Sequence, residues 1–195
     1  MKKYERNDTM GYRYHFAIVD KEKAKMLSIK SPESFLPDVS SEDYDEELCE
    51  KTAFYEMVEN ELDAVEDFDL GQISIPEEAK IHTSRFFTND KTAELFEHYE
   101  ACLIFNAQPI EAVIEYMRQQ ILKDYQECLE NENLRLAKIH RKVQEWTAEF
   151  CKPYNTSPDS KYIVHSNSFE YQIFELVRFL KTIDWETQSV IYFGW

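Results

Sequence analysis

The chain has 195 residues, a formal net charge of −16 and 28 aromatic side chains, enough to build a substantial core. Its three glycines, Gly11, Gly71 and Gly194, compare with about 14 expected from ordinary usage, and no two lie close together. Phosphate-cradling loops of the GxGxxG or GxxxxGK[ST] kind are absent, as is the GxSxG elbow, so the common nucleotide sites and the usual serine-hydrolase turn are excluded and no cofactor is expected. The negative charge disfavours direct contact with nucleic acid or an anionic membrane.

Charge is distributed unevenly. From Glu42 to Asp69 thirteen acids face one base, Lys51, which accounts for −12 of the −16. Residues 1–30 carry eight Lys or Arg against four acids, and Arg135–Lys142 carries four with no acid. The four cysteines, Cys49, Cys102, Cys128 and Cys151, form no CxxC pair, and reduced thiols are the expectation. The opening MKKYERNDT is polar and precedes no apolar run, so no signal peptide is expected and the location read from sequence is cytoplasmic.

In chain order, Tyr12–Val19 alternates with period two and predicts a strand, with Tyr12, Tyr14, Phe16 and Ile18 on one face and Arg13, His15, Ala17 and Val19 on the other. Asp20 is placed to cap a short helix, KEKAKMLSI. A loop over 31–41 leads into an expected long acidic helix. Its stripe is Leu48, Tyr55, Val58, Leu62 and Val65, and Gly71 is placed to stop it. Lys80–Phe87 reads as a strand and Lys91–Ile104 as a helix capped by Asn89 or Asp90. Pro109 then opens a run without Gly or Pro as far as Lys152. One continuous helix over that run would reach about 66 Å, beyond the roughly 40 Å of a compact domain of this size. A helical pair turning near Glu130–Asn133 is the expectation, a single projecting arm the alternative. Tyr162–His165 reads as a short strand, Asn167 with Glu170 as a capping pair opening a helix through Ile183, and Ser189–Phe193 as a last strand. The resulting class is α+β: one helix-rich domain over 1–195, helical in its centre over about 90–152. It has five or six helices and a small, mostly antiparallel sheet of about four short strands, with the first and last strands paired.

Two functions compete. The acidic run, represented by Glu56, Glu59, Asp63 and Glu66, suits recognition of a basic protein by a non-enzymatic binder, inhibitor or immunity-type factor. The blander account of the same run is a solvated surface that pairs with the chain's own basic segments. The alternative function is a small enzyme whose strand histidines, His15, His82 and His165, converge with Arg13 into an anion or metal site. Glu94, His98 and Cys102, spaced by four on one expected helix, offer a weaker metal reading, with packing at the core edge favoured over it. No catalytic residue and no metal ligand is assigned, and the sequence does not specify the oligomeric state.

Overall fold

A computed structural model describes residues 13–34, 54, 57–132, 134, 137, 141 and 169–194; Glu56, His165 and the expected strand 162–165 lie outside them. Five strands form one antiparallel sheet: β1 (Tyr14–Asp20), β2 (Glu66–Gly71), β3 (Thr83–Arg85), β4 (Cys102–Ile104) and β5 (Gln188–Gly194), in the order β2-β1-β5-β4-β3. The class is α+β, with one strand more than the sequence suggested. The first and last described strands pair as expected, from Tyr14 opposite Gly194 to Asp20 opposite Gln188.

Both faces of the sheet are buried, which explains why both alternating sets of β1 are apolar through most of the strand. On one face Phe16, Ile18, Ile104, Val190 and Tyr192 pack against two helices. These are α3 (Gln108–Glu130), through Ile110, Val113, Met117 and Ile121, and α4 (Phe169–Thr182), through Ile173, Leu176, Val177 and Leu180. On the other face Ala17, Val19, Leu103, Ile191 and Phe193 meet α1 (Lys21–Leu27) and an aromatic group of Phe54, Phe86, Phe87, Phe96 and Tyr99. Phe54 stacks on Tyr99 with ring centroids 4.2 Å apart and planes 6° from parallel.

The local signals at the helix starts work as chemistry requires. The Asp20 carboxylate accepts from the Lys23 N–H at 2.8 Å, and Asn89 Oδ1 accepts from the Lys91 and Thr92 N–H groups at the start of α2 (Asp90–Leu95). Pro109 sits in the first turn of α3, where its missing N–H costs nothing. That helix ends at Glu130, and Glu132 takes the left-handed conformation at φ 56°, so an uninterrupted rod from 109 to 152 is excluded.

Three expectations are corrected. The long acidic helix does not reach Gly71: a π-helical turn, Met57–Glu61, is followed by Asp63 at φ 50°, and Glu66–Gly71 is extended as β2. Pairing with β1 favours this, because it puts Leu70 in the core and sets Phe68 against Phe179 of α4 at 5.8 Å between ring centroids. The expected strand 80–87 shrinks to Thr83–Arg85, since Glu77–His82 forms a 3-10 turn, which puts His82 off the strand. The expected helix 91–104 stops at Leu95 and continues as a 3-10 turn, Glu97–Tyr99, and then β4, which joins β5 through Cys102, Leu103 and Ile104.

Candidate functional site

The first candidate surface is the β2 border of the sheet and the segment leading into it. Residues 59–69 contain Glu59, Glu61, Asp63, Glu66, Asp67 and Asp69, and all six are exposed. Antiparallel pairing places Asp69 opposite His15 and Asp67 opposite Ala17, so both carboxylates share the sheet face of His15. The His15 ring is buried and stacks on Phe193 with centroids 5.5 Å apart. Its Nδ1 lies 3.3 and 3.2 Å from the two Asp67 oxygens, and its Nε2 is 4.0 Å from Asp69 Oδ1. A carboxylate only accepts, so the Nδ1 proton donates to Asp67. Arg13 donates to Asp69, Lys23 to Asp63, and Lys30 to Glu61 at 3.3 Å. The Glu66 carboxylate accepts from the Thr182 hydroxyl at 3.2 Å.

Among the described residues three Lys or Arg side chains therefore meet these six carboxylates, and all three, Arg13, Lys23 and Lys30, come from the N-terminal region. Partial burial acts to raise the Asp69 pKa, but the Arg13 hydrogen bond, the Gly71 N–H and the Arg13 and His15 charges outweigh it, holding the carboxyl below the ordinary aspartate range. Asp67 and Asp69 are the partners that the helical reading of this stretch missed. The signal for them was the period-two set Phe68 and Leu70, with the two aspartates between and before them.

His15 and His82 do not converge, and His165 lies outside the described residues. β5 and β4 lie between β1 and β3, about 14 Å at ordinary strand spacing. The 3-10 turn that ends at His82 packs on the α3 face, through Ala79, whereas His15 lies on the opposite face. Arg13 and His15 do come together, but around carboxylates. The Glu94, His98 and Cys102 spacing also dissolves, because Glu94 is on α2, His98 lies in the following 3-10 turn and Cys102 is on β4. Among the described residues no three His, Cys, Asp or Glu side chains are grouped so that they could hold a metal ion.

A second polar group lies on the α3 face and runs across the sheet from Tyr14 on β1 to Thr83 on β3. Tyr14 and Tyr192 stack with ring centroids 5.2 Å apart, and Cys102 sits opposite Tyr192 in the β4–β5 register. Burial pushes the Cys102 thiol up to about 11, against the lowering effects of Thr83 and Lys80, so it stays protonated at neutral pH and is a poor nucleophile. Burial likewise raises the Tyr192 hydroxyl, with the Tyr14 charge acting in the same direction. These groups are suited to packing and hydrogen bonding.

A shallow cleft of about 230 Å³ opens between β3 and α2, with Arg85, Glu97 and Glu100 among its lining residues. Its aromatic members, Phe87 and Phe96, are only 3% and 2% exposed, so they offer a ligand almost no apolar surface.

No helix among the described residues is long and apolar enough to cross a membrane. No known protein family, curated protein or solved structure matches this chain.

Proposed function

We propose that this is a cytoplasmic, non-enzymatic protein–protein interaction factor of the binder, inhibitor or immunity type, and that its acidic stretch recognises a basic protein. The observation that carries the reading is the exposure of six carboxylates within residues 59–69, joined among the described residues by three Lys or Arg partners. Exposed pairs of this kind contribute about 0–1 kcal/mol each and exchange readily with other partners. A basic surface can therefore compete for Glu61, Asp63 and Asp69 at small cost while also reaching Glu59, Glu66 and Asp67, which no Lys or Arg among the described residues engages. Such a field also accelerates encounter with a cationic partner and repels anions.

The competing small-enzyme reading has less support. Arg13 and His15 face Asp69 and Asp67, whose negative charge opposes the anionic substrate that reading requires.

The test is capture from native lysate with the tagged full chain at about 50 and about 500 mM salt, since exposed electrostatics are screened at the higher value. A basic protein retained at low salt and released at high salt is the expected result. Replacing Glu56, Glu59 and Glu66 with Gln and Asp63 with Asn should lower its capture by about tenfold or more, as expected for losing several charge contacts. Unchanged capture by that variant would overturn the proposal.

A further inference from the structure

β2 is the outermost strand on its side of the sheet, and among the described residues no strand pairs with its far side. An edge strand directs alternate N–H and C=O groups outward, where another chain can pair with them. Lysine and proline commonly blunt such edges, and Glu66–Gly71 contains neither. Its irregularity is confined to the Gly71 end, where Tyr14 faces Gly71 but His15 faces Asp69. The Gly71 N–H is already taken by Asp69 Oδ1 at 2.7 Å, so the usable edge is Glu66–Leu70.

Charge decides what can pair there. Two copies of β2 brought edge to edge would set carboxylates against carboxylates, which is destabilising. A strand bearing Lys or Arg meets attraction at the same positions, so this edge discriminates by sign. The two faces add a pattern. Asp67 and Asp69 lie on the His15 face, whereas Phe68 lies on the α4 face, half-buried against Phe179. A complementary strand would alternate basic residues on the first face with apolar residues beside Phe68.

We infer that the basic partner docks through an extended segment alternating Lys or Arg with apolar residues, added to β2 as a sixth strand. This rests on the acidic-surface reading above and names the backbone geometry through which it operates.

The test titrates the full chain with an alternating Lys-Val peptide and reads amide hydrogen exchange. A second peptide of the same sequence, N-methylated at every residue, keeps the charge but has no backbone N–H to donate along either edge. Exchange across 66–70 should slow by about tenfold or more with the first peptide and stay unchanged with the second, as expected when outward amides gain partners. Equal protection by both peptides, or binding without protection of β2, would overturn strand addition. If acid-dependent capture of a basic protein persists in that case, the failure belongs to strand addition alone. Neither capture nor binding of either peptide would overturn both readings.

Discussion

His15 shows how a neighbour redefines a side chain. In sequence it is one of three strand histidines; in the sheet it stacks on Phe193 and donates to Asp67, with Asp69 beyond its other nitrogen. A ring so placed ties β1 to an acidic border and is poorly suited to receive an anion. Asp69 carries the clearest electrostatic consequence. Its pKa is lowered on folding, so its stabilising contribution is present above the unfolded aspartate value and is lost as pH falls through the folded one. Asp69→Asn keeps an acceptor for the Gly71 N–H and removes the charge that pairs with Arg13. With side chains 49% and 42% exposed, screening limits the loss to about 0.2–1 kcal/mol at neutral pH. The two proteins should converge as pH falls from about 4 towards 2. Urea unfolding midpoints across that range provide the measurement, and a constant difference would assign the effect to something other than the charge.

At the scale of elements, local chemistry was most legible where it is self-contained. The Asp20 and Asn89 caps, Pro109 in the first turn of α3 and the 3.6-residue stripes of α3 and α4 act through neighbours in sequence, and each could be read from residue type and spacing. Glu66–Gly71 and Cys102–Ile104 could not, because both are short and their pairing partners are distant in sequence. Cys102 faces Tyr192, for example, across β4 and β5. The spacing of Leu95, Tyr99 and Leu103 fits a helix equally well, and only the vacancy beside β5 makes the strand preferable. The end of α3 gives a test of local strain. Glu132 holds φ 56° just after the helix cap, a position that favours glycine. Glu132→Gly should relieve up to about 1 kcal/mol of left-handed strain, less the added freedom of glycine in the unfolded chain. The expected gain in Tm is at most about 2–4 °C, at about 2–4 °C per kcal/mol for this size. Thermal unfolding checks it, and a lower Tm would show that the Glu132 side chain contributes more than its conformation costs.

Across the whole molecule 38 acids outnumber 22 Lys and Arg, so at least 16 carboxylates have no basic side chain to pair with one to one. Self-repulsion destabilises the compact state and is screened by salt, as are the pairs. With repulsion dominant, raising NaCl from about 50 to about 500 mM should increase Tm, although the same change weakens capture of a basic partner. A fall in Tm would mean that pairs such as Lys23–Asp63 outweigh the repulsion. The sequence by itself determined the α+β class, the pairing of its two most apolar strands, the segregation of acid from base, and the absence of glycine-rich phosphate loops. Composition, periodicity and capping all act through residue type and near neighbours. Tertiary structure decided the order β2-β1-β5-β4-β3, the extended form of Glu66–Gly71 and the separation of His15 from His82. Those outcomes depend on which distant strand supplies the missing hydrogen bonds and which face of the sheet remains to be covered, and no short window of sequence contains either.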